Sequence, residues 1–257
     1  MPAAATLEWI TPDWPAPATV RALSTLRTGG HSPRPYASLN LATHVGDDAA
    51  CVQRNRHALQ LQAGLPAAPL WLNQVHGVAV VPASMQQSTA TADAPTADGC
   101  VAHAPGQVCV VLTADCLPVL FCDQAGTCVG AAHAGWRGLV QGILQTTVSS
   151  LQRPAEQLLA WLGPAIGLQS FEVGAEVRDQ FLARDPSCGG AFVRNPRQRW
   201  QADLYRLARQ DLARMGVTQV YGGDFDCCAD AGRFFSYRRD GQTGRMATMI
   251  WLERGAG

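Results

Sequence analysis

Three short segments of the chain combine glycines and polar residues with side chains that bind metal ions. These segments are residues 73–77, 113–118 and 133–138, and each follows an apolar run at the point where the chain would leave a core. They contain His76, Cys116 and His133. Two imidazoles and one thiolate match a catalytic zinc site, which takes three protein ligands and keeps a fourth position open.

The spacing of these three residues does not by itself establish a metal site. His76 and Cys116 are 40 positions apart and Cys116 and His133 are 17 apart, so the fold would have to assemble the site. A structural zinc site usually contains two closely spaced ligand pairs, and this set has none. A lone histidine beside a strand is more often hydrogen-bonded than metal-bound, so both interpretations stay open on spacing alone.

Charged and aromatic residues accompany these segments. Asp115 precedes Cys116, where a carboxylate could act as a general acid or base or could simply stabilise a turn. Arg137 lies at the predicted start of a helix, a position that attracts phosphate or carboxylate but also suits a solvated arginine. Residues 234–240 form a second cluster, whose aromatic and arginine side chains could hold a flat polar ring or form a strand with an exposed ion pair.

The composition excludes several kinds of chemistry. All 20 basic residues are arginine, so the chain has no lysine for a Schiff base, a pyridoxal phosphate enzyme or a Walker-type phosphate loop. The formal net charge is zero, which indicates neither nucleic acid nor a membrane surface as a partner. Nine irregularly spaced cysteines, no signal-peptide pattern and no long apolar run predict a cytoplasmic protein with reduced thiols. We favour a monomer.

The hydrophobic pattern predicts strands at 69–72, 78–82, 107–113, 117–122, 127–132, 158–162, 217–221 and 247–252. Helices are predicted at 49–63, 138–152, 172–184 and 200–215, and loops at 34–48 and 84–98. Three strands in succession between 107 and 132 favour hairpins and indicate a mixed α/β sandwich. We expect residues 1–22 to form an extended lead-in and residues 23–257 to form a single catalytic domain.

Motifs along most of the chain resemble those of the YfiH family. This family is also called the laccase-domain or multicopper-polyphenol-oxidase-like family, and the human protein FAMIN belongs to it. The matching strings are SLNL (38–41), HVGDD (44–48), NR (55–56), QVHG (74–77), DG (98–99), TADCLPVL (113–120), HAGWRG (133–138), GPAIG (163–167) and FSYRRDG (235–241).

The resemblance implies a fold, a metal and an activity. The fold is a mixed-sheet α/β/β/α sandwich, related to the catalytic domain of cytotoxic necrotizing factor. The metal is one zinc ion on His76, Cys116 and His133. The activity is phosphorolysis of adenosine, inosine, guanosine or methylthioadenosine with inorganic phosphate, together with deamination of adenosine. Bacterial relatives are also linked to peptidoglycan editing.

Under this hypothesis, the catalytic residues are Asp115 for proton transfer, with Cys116 and His133 at the metal. Three arginines are expected to contact phosphate or ribose, namely Arg56, Arg137 and Arg238. The base would pack on Phe235, and amide hydrogen bonds would come from Asn40 and Gln74. The family has Cys-Thr where this chain has Cys227-Cys228, which puts any role of a hydroxyl at position 228 in doubt.

Counting ligands tests the copper oxidase label. A multicopper oxidase needs a blue copper site and a three-copper cluster fed by His-X-His pairs. This chain has six histidines, and no two are two positions apart, so copper is expected only as a substitute for zinc. Two other hypotheses stay open. One is a metal-free cysteine hydrolase acting on a peptidoglycan precursor, with Cys116 as nucleophile and His133 as base; the other is a ligand-binding module without turnover.

Overall fold

The computed structural model describes residues 6–85 and 94–254. The strands are β1 Trp9–Ile10, β2 Val20–Thr25, β3 Val80–Pro82, β4 Gly99–Ala102, β5 Val108–Thr113, β6 Leu117–Asp123, β7 Val129–Ala134, β8 Leu158–Leu162, β9 Glu172–Val173, β10 Phe192–Arg194, β11 Trp200–Ala202, β12 Gln219–Gly222 and β13 Met246–Leu252. The α-helices are α1 Ala49–Gln62, α2 Trp136–Gln141, α3 Ile143–Ser150, α4 Ala175–Arg184, α5 Leu204–Arg214 and α6 Tyr237–Asp240.

Two sheets stack face to face at the centre of the molecule. One has six strands in the order β12-β8-β6-β7-β4-β3, and the other has four in the order β1-β2-β13-β5. Side chains alternate between the two faces of each strand. On β5, Cys109 and Val111 therefore enter the core between the sheets, while Val108 and Val110 enter a separate core on the outer face.

Helices cover both outer faces. Leu139 of α2, Ile143 of α3 and Leu207 of α5 belong to one core with Phe121 of the six-stranded sheet. Leu59 of α1 belongs to the core on the outer face of the four-stranded sheet. A small sheet in the order β10-β11-β9 lies beside α4. The predicted mixed-sheet α/β/β/α sandwich in a single domain is confirmed, because parallel and antiparallel pairs occur within the six-stranded sheet.

Several predicted boundaries were wrong. The helix predicted at 138–152 begins at Trp136 and is interrupted at Gly142, whose φ of 102° is left-handed and favours glycine. The segments 172–184 and 200–215 were predicted to be wholly helical. Each instead starts with a short strand, β9 or β11, because these two strands pair with each other. Residues 69–72 form one bridge, from Leu70 to Cys109, rather than a strand.

The predicted loops and lead-in have mixed outcomes. Residues 34–48 contain no helix or strand, as predicted. Within the loop predicted at 84–98, residues 86–93 lie outside the described residues, as do residues 1–5 of the predicted lead-in. The rest of the lead-in includes β1, which pairs with β2. None of the described helices is both long enough and apolar enough to cross a membrane, and all nine cysteines are free thiols.

The connection between β5 and β6 crosses from one sheet to the other. β5 is the edge of the four-stranded sheet, and β6 lies inside the six-stranded sheet. Only Ala114, Asp115 and Cys116 separate them. At the same end of the sandwich, His133 of β7 is paired with Pro118 of β6. The fold therefore brings two of the segments with metal-binding residue types together.

Candidate metal centre

The three residues that were predicted as metal ligands converge in the structure. The ligand atoms of His76, Cys116 and His133 all lie within 4.8 Å of one another. His76 Nε2 is 3.7 Å from Cys116 Sγ. Tetrahedral zinc bonds of ~2.0–2.3 Å place ligand atoms about 3.3–3.8 Å apart. The donor set and the His76–Cys116 distance therefore fit a single zinc ion, and all three ligand atoms lie close enough to converge on one ion after small side-chain shifts.

Asp98 organises two of these three residues. Its carboxylate is fully buried just before β4. It accepts hydrogen bonds from the backbone N–H groups of Val75, His76 and Gly77 at 3.2, 2.9 and 2.7 Å. It also accepts one from His133 Nδ1 at 2.8 Å. No role was predicted for Asp98, because an Asp-Gly pair after a polar loop resembles an ordinary turn in the sequence.

The hydrogen bond to Asp98 fixes the tautomer of His133. In the neutral ring that a metal ion requires, the proton stays on Nδ1 and Nε2 has a lone pair for the metal. His133 is 4% exposed. Burial by itself lowers the pKa of His133, but Cys116 and Asp98 outweigh burial and raise the pKa to about 9. The His133 ring therefore interacts favourably with two acidic groups, Cys116 and Asp98.

Cys116 has the electrostatic surroundings of a thiolate. Burial by itself raises the pKa of Cys116, but His133 and His76 outweigh burial and lower the pKa to about 6. A thiol must lose its proton to bind a metal ion. The two imidazoles therefore favour the form of Cys116 that zinc requires.

His76 and Gly135 show how tightly the backbone encloses this group. His76 has a left-handed φ of 61°, which costs free energy for a residue with a side chain and is offset here by the bond to Asp98. A Cβ atom on Gly135 would lie 2.8 Å from Cys116 Sγ and 3.2 Å from His76 Cδ2. The φ of Gly135 is −64°, so space rather than conformation requires glycine there.

The three residues line a cavity of about 460 Å³. This volume is within the range of ~300–1,000 Å³ found for small-molecule sites. The other lining residues are His44, Gln74, Leu112, Thr113, Ala114, Asp115, Trp136, Arg137, Ile166, Phe171, Tyr237, Arg238 and Arg245. Aromatic rings and cations therefore surround the candidate metal centre.

Asp115 has one oxygen that the protein does not use. Its Oδ2 accepts a hydrogen bond of 2.6 Å from the backbone N–H of Arg238. Its Oδ1 is buried and has no partner among the described residues. Burial raises the pKa of Asp115 more than Arg238 and Ser236 lower it. The backbone of Asp115 is also left-handed, with φ 96°.

Two of the predicted arginines line the cavity and one does not. Arg137 stacks on Trp136, 4.4 Å from the ring centroid, and its guanidinium has no hydrogen-bond partner within the described part of the chain. Arg238 Nη1 donates to the carbonyl oxygens of Ser170 and Glu172. Arg56 lies elsewhere and stacks on Trp71 at 3.8 Å.

The remaining predicted contacts are occupied by the protein. Gln74 lines the cavity, but its amide exchanges two hydrogen bonds with the backbone of Leu112. Asn40 and Phe235 are both 0% exposed and are not among the lining residues. Phe235 lies in a core cluster with Phe234 and Met246. His44 and Arg245, which line the cavity, were not predicted. No motif links them, since they are 201 positions apart in the sequence.

The fold and the site define an α/β sandwich protein with a candidate His-Cys-His metal site in a ligand-sized cavity. Residues 21–253 match the family model described as multi-copper polyphenol oxidoreductase laccase. The chain belongs to this family, as its motifs predicted.

Several curated relatives have similar sequences. A purine nucleoside phosphorylase of Pseudomonas aeruginosa is 52% identical over 247 residues, covering 95% of this chain and 98% of the relative. The purine nucleoside phosphorylase YfiH of Escherichia coli is 50% identical over 243 residues, with coverage of 95% and 98%.

Solved structures have the same fold. A crystal structure of a Neisseria meningitidis protein has a TM-score of 0.91 at 50% identity, covering 96% of this chain and 99% of that one. YlmD from Geobacillus stearothermophilus has a TM-score of 0.87 at 28% identity, with coverage of 97% and 100%.

The family description names several coppers, but the ligands here suit one ion. Within residues 6–85 and 94–254, the one group of three or more metal-ligand side chains is His76, Cys116 and His133. Four copper ions need many more donors than these three provide. The family relationship therefore does not bring the multicopper reaction to this chain.

Proposed function

We propose that this chain is a zinc-dependent purine nucleoside phosphorylase. The observation that carries the proposal is the mononuclear His76–Cys116–His133 group in the wall of a cavity that also contains cations and aromatic rings. Relatives with 50% identity or more that are named purine nucleoside phosphorylases support it. In the reaction, inorganic phosphate would attack C1′ of the ribose, the bond from C1′ to the base nitrogen would break, and that nitrogen would take a proton.

The metal would be held by His76, Cys116 and His133. Asp98 would hold the two histidines in place through its hydrogen bonds to the backbone of His76 and to Nδ1 of His133. Zinc bound there would supply Lewis-acid chemistry beside the substrate. Copper in its place would be a substitute, since many N/S sites bind copper more tightly.

Other side chains would bind and orient the nucleoside. Trp136, Phe171 and Tyr237 offer aromatic surface to a purine ring. The unpartnered Oδ1 of Asp115 is suited to transfer a proton at the base nitrogen. Arg137, whose guanidinium is free for a ligand, would neutralise charge near the reacting groups. Of the contacts predicted from the sequence, Arg137 and Arg238 remain part of this proposal.

We include deamination of adenosine in the proposal, because the family resemblance implies it. In this reaction water would add its oxygen at C6 of adenosine, and the bond from C6 to the amino group would break, so that inosine forms and ammonia leaves. Its signature is inosine formed without phosphate, whereas phosphorolysis of adenosine forms adenine only with phosphate.

A chromatographic assay tests the main proposal. Adenosine, inosine, guanosine and methylthioadenosine are each incubated with the protein, with and without phosphate. We expect release of the free base that requires phosphate and that is lost with a chelator and restored by zinc. Binding of nucleosides without any product would refute the proposal and favour the ligand-binding module.

One geometric observation supports a second candidate, the cysteine hydrolase. The ligand atoms of Cys116 and His133 lie within 4.8 Å of each other, and Asp98 accepts a hydrogen bond from Nδ1 of His133, which gives the order nucleophile, base and carboxylate of a catalytic triad. This enzyme would be active without metal and would be inactivated by alkylation of Cys116. Assaying chelated protein on peptidoglycan precursors, before and after alkylation, separates the two candidates.

A further inference from the structure

A second cavity of about 480 Å³ lies beside the cavity of the metal centre. His44, Tyr237 and Arg245 line both cavities, so the two adjoin. The other lining residues of the second cavity are Val45, Gly241, Gln242 and Thr243. None of the seven is acidic, and none was predicted from the sequence as a substrate contact.

Arg245 gives this cavity a positive charge that is not part of an ion pair with any described carboxylate. Its Nη1 donates to the carbonyl oxygens of Thr243 and Gly244 at 2.9 and 3.0 Å. The other guanidinium nitrogens have no hydrogen-bond partner within the described residues, and no carboxylate there forms an ion pair with Arg245. Burial is the main influence on the pKa of Arg245 and lowers it, while Cys116, Asp115 and Tyr237 raise it. A partly buried cation of this kind is stabilised by an anion.

Two further groups beside Arg245 are suited to an anion. Thr243 is 1% exposed, and its hydroxyl is buried without a hydrogen-bond partner among the described residues. Burying an unpaired hydroxyl costs free energy unless a ligand completes its bonding. Burial, followed by Arg245 and Arg56, lowers the pKa of His44. A bound anion would counter the lowering of the His44 pKa by those two cations.

Buried Asn40 holds these groups in place before any ligand arrives. Its Oδ1 accepts hydrogen bonds from the backbone N–H of Ala42 and of Arg245, each at 3.0 Å. Its Nδ2 donates to the carbonyl oxygen of Ala42 at 3.0 Å. One side chain therefore joins the segment before His44 to the backbone of Arg245. Asn40, predicted as a substrate contact, is placed as a positioning residue for this cavity.

We propose that the second cavity binds a phosphate group, with Arg245, Thr243 and His44 as its donors. The inference rests on the proposed function, in which phosphate must lie next to a nucleoside beside the metal centre. A tetrahedral oxyanion supplies the acceptors that Arg245 and Thr243 lack. The phosphate group would belong either to inorganic phosphate or to a phosphorylated nucleoside.

Direct binding tests this proposal without turnover. Inorganic phosphate is titrated calorimetrically into the full-length protein and into the variants Thr243→Val and Arg245→Gln. We expect the dissociation constant to rise at least about 10-fold for Arg245→Gln and roughly 5-fold for Thr243→Val, because each loses a bond to a charged group. Thr243→Ser keeps the hydroxyl and should bind like the wild type.

The controls separate a binding role from a structural one. Thr243→Val should melt at or above the wild-type temperature, since the lost hydroxyl has no partner in the protein. Arg209→Gln removes an exposed arginine that lines neither cavity, and it should leave phosphate binding unchanged. Equal loss of affinity in Arg209→Gln and Arg245→Gln would mean a general charge effect and would overturn the proposal.

Inosine 5′-monophosphate is titrated in parallel to identify the source of the phosphate group. Binding of free phosphate assigns the cavity to the co-substrate, and variant-sensitive binding of the ester alone assigns it to a phosphorylated nucleoside. Wild-type affinity for both ligands in Thr243→Val and Arg245→Gln would overturn the proposal. If the wild type releases no base with phosphate, the proposed function fails, but these titrations still decide what the cavity binds.

Discussion

Asp98 accepts a hydrogen bond of 2.8 Å from Nδ1 of His133, and both residues are buried. The same carboxylate holds the backbone of residues 75–77. One side chain therefore sets the orientation of His133 and the position of His76. The geometry of the candidate metal centre therefore depends on a residue that is not expected to bind the metal.

Asp98→Asn should lower zinc affinity by about 10–100-fold, the usual effect of removing an outer hydrogen-bond partner of a metal ligand. Each carboxylate oxygen of Asp98 faces two donors, so an amide nitrogen in either position would oppose two N–H groups. If that nitrogen faces His133, it also favours the tautomer that removes the lone pair from Nε2. Competition with a chelating dye measures the affinity, and nitrogen NMR of the metal-free protein, recorded above the His133 pKa of about 9 where the ring is neutral, reports the tautomer.

Asp123→Asn is the matched control for this prediction. Asp123 is also a buried carboxylate that accepts three protein hydrogen bonds, but it lies at the opposite end of β6 from Cys116. We expect it to lower stability and to leave zinc affinity unchanged. Equal zinc affinities in the two variants would show that Asp98 has no special role at the metal.

His76→Ala should lower zinc affinity by more than ~100-fold, because it removes a ligand rather than an outer hydrogen bond. His57→Ala, an exposed position on α1, is the control. Elemental analysis of the purified proteins gives the zinc content. Full zinc in His76→Ala would show that this ligand set is wrong.

Gly135→Ala should disturb the metal centre without a large change in backbone preference. Its Cβ would be 2.8 Å from Cys116 Sγ, so the thiol or the loop has to move. We expect weaker zinc binding and a changed absorption spectrum of the cobalt-substituted protein. Gly189→Ala, whose Cβ would find its nearest neighbour at 3.5 Å, should behave like the wild type. An unaltered cobalt spectrum in Gly135→Ala would contradict the steric argument.

Asp123 should make stability depend on pH in the acid range. Burial by itself raises the pKa of Asp123, but hydrogen bonds from Thr127 and Cys128, with Arg153, outweigh burial and lower the pKa. A lowered folded pKa stabilises the fold above the unfolded value of ~3.9, and this contribution is lost as pH falls through the folded pKa. Asp123→Asn should therefore cost roughly 2–4 kcal/mol at pH 7 and progressively less as the pH falls below ~3.9. Denaturant unfolding over a series of acid pH values and at pH 7 measures the difference; a cost independent of pH would contradict it.

The pattern of apolar runs predicted a mixed α/β sandwich, whereas the ligand set followed from the family resemblance, because the spacing of the three residues left a metal site open. Apolar runs marked most of the central strands, and His76, Cys116 and His133 each lie in a dense motif. The number of motif residues in a segment could not separate residues that line the cavity from residues buried in the core, because motifs contain both kinds. Phe235 and Asn40 lie in such motifs and are fully buried.

Other features depend on contacts that no local pattern contains. Arg245 and His44 come together only through the folded chain. The break at Gly142 and the strand pairing of β9 with β11 are also tertiary effects, which overrode helical periodicity.

The candidate metal centre is anchored to both sheets. Gln74 ties the His76 loop to Leu112 of the four-stranded sheet, while Asp98 ties the same loop to His133 of the six-stranded sheet. Cys116 lies on the turn that joins the two. Any sliding of one sheet over the other would change the distances between the ligands. The affinity for the metal should therefore depend on how the two sheets are aligned. Even substitutions at Cys109 or Leu120, in the core between the sheets, should change it.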